Sequence, residues 1–138
     1  MEDFRSIFAK GKTIEKCQQR LEWMKKFTNA FRTFSKQFES RGRDFMIEVV
    51  FSGGSALEFK LFDQYRFKIT CRMVDMKNDR YQAQMVLFWM NPDEPVFITV
   101  MHIDENGGIR RDGIGIDIDD IFLLLHNKFD HIFEDYKS

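Results

Sequence analysis

The chain reads as an α+β protein with a long N-terminal helix, an antiparallel five- or six-stranded meander, and a C-terminal helix packed on the sheet. Three observations predict this. Between Asp44 and Ile103 apolar and polar residues alternate with period two, which sends successive side chains to opposite faces of a sheet. The connections between those runs are all shorter than the dozen or more residues that a parallel crossover needs. On both flanks, apolar residues recur at steps of three and four, the pattern of a helix with one buried face. No linker, repeat or low-complexity tract divides the 138 residues, so a single domain is expected.

Phe4, Ile7 and Phe8 open an apolar stripe that is expected to be interrupted around Gly11. Thr13 then suits an N-cap, with Glu15 in the first turn, and the main helix runs to about Arg41, with Gly42 placed as a C-terminal stop. Its apolar positions are Ile14, Cys17, Leu21, Met24, Phe27, Phe31, Phe34 and Phe38, with Trp23 beside them. At 1.5 Å per residue this helix spans about 40 Å, more than one small sheet covers, so part of it is expected to project. Cys17, Met24, Phe31 and Phe38 lie seven apart, as in a coiled-coil seam. The polar Thr28 and Ser35 and the richness in Phe argue instead that Trp23 to Phe38 packs on the sheet. The less aromatic beginning, Phe4 to Leu21, is a dimerisation candidate.

Phe45, Ile47, Val49 and Phe51 alternate with Met46, Glu48 and Val50 in the first strand. Gly53 and Gly54 are expected to supply the positive φ of a tight turn before Leu57, Phe59 and Leu61. The third strand is the clearest: Tyr65, Phe67, Ile69, Cys71 and Met73 on the core face, against Arg66, Lys68, Thr70 and Arg72. After a turn over residues 75–79, Tyr81 to Met90 starts as an alternation and ends as an apolar run from Met85, which predicts burial on both faces. The turn Asn91-Pro92-Asp93-Glu94-Pro95 delivers the fifth strand, Val96 to Ile103, and Ile109 to Asp112 suits a short sixth. Asp117 or Asp119 caps the last helix, whose apolar face carries Ile118, Ile121, Phe122, Leu125, Phe129, Ile132, Phe133 and Tyr136.

Sixteen Phe and eight Met predict an unusually aromatic core. Cys17 and Cys71 read as two buried free thiols in a reducing compartment. No run approaches the roughly 20 apolar residues of a membrane span, and Met1-Glu2-Asp3-Phe4 does not resemble a signal segment, so a soluble cytoplasmic protein with no membrane role is expected. The net charge of −1 conceals an asymmetry: residues 1–43 carry eleven Lys and Arg against five Asp and Glu, residues 44–138 ten against seventeen.

Catalytic chemistry is thinly represented, and no enzyme, cofactor or metal is expected. His126 and His131 are five apart, which does not place two ligands on one helical face, and neither cysteine has zinc or redox spacing. Asp104, Asn106 and Gly107 fall short of a calcium loop, which requires its glycine at the sixth position and a Glu at the twelfth. What remains points to binding. Phe62, Val86, Phe88 and Met90 are expected to face away from the core as an apolar patch, which marks a protein partner or a homodimer interface. The leading expectation is therefore a small non-enzymatic protein-interaction module of the adaptor, inhibitor or immunity type. The alternative is nucleic-acid binding, through Lys12, Lys16 and Arg20 on one helix face or through Arg66, Lys68 and Arg72 on the outer sheet face near Phe62.

Overall fold

In the computed structural model, which describes residues 4–76, 80–104 and 106–137, helix α1 (Phe4–Gly42) passes through Gly11 without a break. A single glycine costs a helix interior only about 1 kcal/mol relative to alanine, too little to stop a long helix. Thr13 accordingly caps nothing; its hydroxyl donates to the Ala9 carbonyl one turn back, at 2.9 Å. The 39 residues span about 58 Å, well beyond the expected 40 Å. Gly42 does end the helix, but with φ −64° and ψ −22° it is right-handed. Its role is close approach: a Cβ there would meet Cβ and Cγ2 of Ile47 at 3.2 Å. A 3-10 turn, Arg43–Phe45, follows, and the left-handed residue is Met46, at φ 61°. Phe45 thus precedes the first strand.

Among the described residues seven strands then hydrogen-bond in chain order, each antiparallel to the next: β1 (Ile47–Ser52), β2 (Ala56–Leu61), β3 (Tyr65–Met76), β4 (Arg80–Asn91), β5 (Glu94–Ile103), β6 (Ile109–Arg111) and β7 (Ile114–Ile116). The seventh strand, beyond the five or six expected, owes its existence to Asp112 and Gly113, both left-handed at φ 53° and 76°, the backbone of a two-residue hairpin turn. Gly53 and Gly54, by contrast, do not supply positive φ; the left-handed glycines are Gly107 and Gly113. Helix α2 (Ile118–Lys137) closes the fold.

Both helices lie on one face of the sheet. The core contains Phe27, Phe31, Phe34 and Phe38 of α1, Ile121, Phe122 and Leu125 of α2, and the inward residues of β1 to β5, among them Phe59, Phe67, Ile69, Met85, Leu87 and Met101. Phe38 joins three elements, its ring centroid 4.7 Å from that of Phe59 on β2, 4.9 Å from that of Phe122 on α2 and 5.7 Å from that of Phe34 on its own helix. Trp23 stacks on Phe27 at 5.6 Å and meets Tyr81 at 5.9 Å, so the expected packing of Trp23 to Phe38 on the sheet is observed. The aromatic core is observed too.

The helix ends are fixed by polar contacts. Arg41 Nε and Nη2 donate to the two carboxylate oxygens of Asp119 at 2.9 and 2.8 Å, joining the end of α1 to the start of α2. That bidentate bond holds the Asp119 carboxyl below the usual carboxylate range. Asp117 is the N-cap of α2: the Asp120 amide donates to Asp117 Oδ1 and the Asp117 amide to Asp120 Oδ2, both at 3.0 Å, a reciprocal capping box. Among the described residues no helix is long and apolar enough to cross a membrane. The side chains of Phe4, Ile7, Phe8, Phe129, His131, Ile132, Phe133 and Tyr136 and the turn at 77–79 lie outside the described residues.

Candidate interaction surfaces

Two surfaces remain after the core is assembled. The first is the leading half of α1. Every residue from Ala9 to Glu22 is exposed, whereas burial begins at Trp23 and is complete at Phe31 and Phe38. The apolar seam does not stop where burial does. Ile14, Leu21 and Met24 are 57%, 52% and 48% exposed, and Cys17 lies in water between them, on the seven-residue register that continues inward as Phe31 and Phe38. Lys12 and Lys16 lie off this seam, and the Arg20 guanidinium carbon sits 6.0 Å from the centroid of the Tyr81 ring, within cation–π range, where the helix leaves the sheet. The expectation of two buried thiols therefore fails for Cys17. Cys71, half-buried on β3, has its thiol pushed up to about 11 by burial.

The second surface is the sheet face turned away from the helices. The register draws it row by row. Phe51, Glu58, Lys68, Phe88 and Phe97 lie opposite one another across five strands. Beside them run Glu48, Lys60 and Arg66 on one side and Ala56, Thr70, Val86 and Val100 on the other, and the next row holds Arg72, Gln84, His102 and Arg110. Arg72 Nε donates to Gln84 Oε1 at 3.2 Å. Arg66, Lys68 and Arg72 thus share one face as expected, and Val86 and Phe88 join them; Met90, opposite Pro95, belongs to the same alternation.

Three expectations need correction here. Phe62 is not on this face: it is a left-handed turn residue between β2 and β3, at φ 56°, and its ring meets the His126 ring of α2 edge-on at 5.4 Å. His126 Nε2 in turn lies 3.0 Å from the Phe45 carbonyl oxygen. The run from Met85 to Met90 is not buried on both faces; Met85 and Leu87 are fully buried while Val86, Phe88 and Met90 are half-exposed. Phe51, placed inward by strict alternation, points outward because a β-bulge between Val49 and Phe51 shifts the register by one residue. A second bulge, between Leu87 and Phe88, brings Phe97 opposite Phe88, with ring centroids 6.5 Å apart. Phe51 and Phe97, 52% and 60% exposed, are the aromatics that alternation misses, since a bulge leaves no mark on an apolar run.

Among the described residues no three His, Cys, Asp or Glu side chains converge as a metal group. The Asp104 carboxylate is used locally, Oδ1 accepting from the Asn106 and Gly108 amides at 3.0 and 2.8 Å, which accounts for the partial likeness to a calcium loop. A groove of about 400 Å³ beside α2 is lined by Met101, Ile116, Ile121 and Leu124, with Arg111, Asp120 and Lys128 around it. Compared with protein-family models, curated proteins and solved structures, the chain matches none.

Proposed function

We propose that this chain is a non-enzymatic protein-interaction module that docks through the leading half of α1, and that the partner it fits is a second copy of itself. The observation that carries the reading is the exposed continuation of a buried seam: Ile14, Cys17, Leu21 and Met24 extend in water the same heptad register that is core at Phe31 and Phe38. A helical segment without tertiary contacts is only marginally stable in water, because helices draw most of their stability from packing an apolar face. Fully burying one such side chain is worth about 1.5–3 kcal/mol. These are already about half covered by their own helix, so each contributes roughly 1 kcal/mol on docking.

Two such seams meeting about a twofold axis satisfy each other, the usual form of a homodimer. Lys12, Lys16 and Lys26 lie off the seam and are exposed, Lys26 Nζ 4.9 Å from the centroid of the Trp23 ring. The basic first 43 residues and the acidic remainder of another copy also attract at long range, which speeds encounter.

The test is the mass in solution. Sedimentation equilibrium at tens of micromolar is expected to give twice the 16.6 kDa of one chain, falling to the single-chain value in an Ile14→Glu, Leu21→Glu variant that still unfolds cooperatively in urea. Cys17 provides a second readout: its alkylation slows as wild-type concentration rises. A wild-type chain that stays monomeric, with Cys17 equally reactive at all concentrations, refutes self-association.

A further inference from the structure

We infer that the outer face of the sheet binds single-stranded nucleic acid, with Phe51, Phe88 and Phe97 as base-stacking groups and Lys60, Arg66, Lys68 and Arg72 following the phosphates. The inference is independent of the exposed helix seam, which projects beyond the sheet.

Charge partition is the first argument. Residues 44–138 hold ten Lys and Arg against seventeen Asp and Glu, an acidic segment as a whole. Yet the rows built by β1 to β4 on this face carry Lys60, Arg66, Lys68 and Arg72 against only Glu48 and Glu58. A random scatter would make the face acidic. Among the described residues none of these four cations is held in an ion pair, and Arg72 bonds only a neutral amide. They stay available to an anion.

Aromatic placement is the second. Phe97, Phe88 and Lys68 are consecutive in one cross-strand row, with Phe51 two strands further on beyond Glu58. Two bulges bring Phe51 and Phe97 to this face, where they leave half or more of their surface in water. Burying them inward would have been worth about 1.5–3 kcal/mol each, so their exposure is costly unless something stacks on them. Neighbouring strands are about 4.8 Å apart, so a row of rings across a sheet offers successive bases a platform while cations in the adjacent rows reach the backbone. Single strands fit this arrangement better than duplex, whose bases are not free to stack on side chains. An acidic peptide would use the cations but not the rings.

The probe is a fluorescein-labelled oligothymidylate of about 15 nucleotides, titrated by fluorescence anisotropy at several salt concentrations. Wild-type protein is expected to bind at micromolar concentration or better at low salt, with log affinity falling linearly in log salt. Arg66→Glu with Lys68→Glu is expected to weaken binding at least tenfold and flatten the salt slope, by about 0.7 for each phosphate no longer neutralised. Phe97→Ala is expected to cost about fivefold or more without changing that slope. Should the charge-reversal pair fail to fold, Arg66→Gln and Lys68→Gln replace it, circular dichroism confirming the fold of each variant. The triple variant Lys12→Glu, Lys16→Glu, Arg20→Glu is expected to stay within about twofold of wild type. The inference is overturned by absence of binding at low salt, by loss of binding in the helix triple variant but not in the sheet variants, or by displacement of the oligonucleotide by polyglutamate at equal charge concentration.

Discussion

Phe38 and Leu21 occupy the same seam of one helix, seventeen residues apart, and truncating each to alanine is expected to have very different consequences. Phe38 is 0% exposed and touches rings from α1, β2 and α2, so Phe38→Ala removes a full aromatic side chain and leaves a cavity that three packed elements cannot jointly close. Such truncations cost about 3–5 kcal/mol. Leu21 is 52% exposed, and leucine and alanine are near-equal helix formers, so Leu21→Ala costs about 1 kcal/mol or less. Urea unfolding followed by tryptophan fluorescence reads both. With a slope of about 2 kcal/mol per molar, Phe38→Ala lowers the midpoint by roughly 1.5–2.5 M and Leu21→Ala by less than about 0.5 M, the slope unchanged. The measurement belongs at the lowest workable protein concentration, because association through the seam would add its own stabilisation to wild type. If Leu21→Ala there shifts the midpoint as far as Phe38→Ala, the leading half of α1 packs on the body and the projecting-helix reading is wrong.

Asp117→Ala, which breaks the capping box of α2, is expected to cost about 1 kcal/mol in the same titration. Ser35→Ala is expected to stabilise by up to about 1 kcal/mol, since the Ser35 hydroxyl is buried with no hydrogen-bond partner among the described residues and alanine is the better helix former; a loss of stability would reveal a partner for that hydroxyl. The Cys71 thiol is raised to about 11 in the folded chain, so the folded state favours its proton. Its contribution is whole below the ordinary thiol range and is lost as pH rises toward 11; stability should fall over that window less steeply in Cys71→Ala than in wild type, and iodoacetamide at pH 8 and low protein concentration should modify Cys17 long before Cys71. Asp119 shifts the other way: lowered by its bond to Arg41, it stabilises above the usual carboxylate range, and that part is lost as pH falls through it, so Asp119→Asn should remove a portion of the acid-side decline in melting temperature.

What the chain's order of residues determined by itself was the architecture and the orientation of its clearest strand. Period-two alternation across β2 and β3 sets Leu57, Phe59, Phe67 and Ile69 inward and Lys60, Arg66, Lys68 and Arg72 outward, and both are found so. The three- and four-residue spacing likewise set Phe27, Phe31, Phe34 and Phe38 on one helix face. These are local rules, legible wherever one face is apolar and the other polar. They reach less far where both faces are apolar: alternation set Phe88 outward but the apolar run predicted burial on both faces of β4, and two bulges turn Phe51 and Phe97 outward against the count. Tertiary structure also gave the reason why α1 leaves the sheet near Trp23, where its aromatic stretch to Phe38 begins. Its apolar seam is continuous from Ile14 to Phe38, and nothing in the spacing separates the half that is buried from the half in water. That boundary is set by the width of the sheet beneath the helix, a length that only the assembled strands possess.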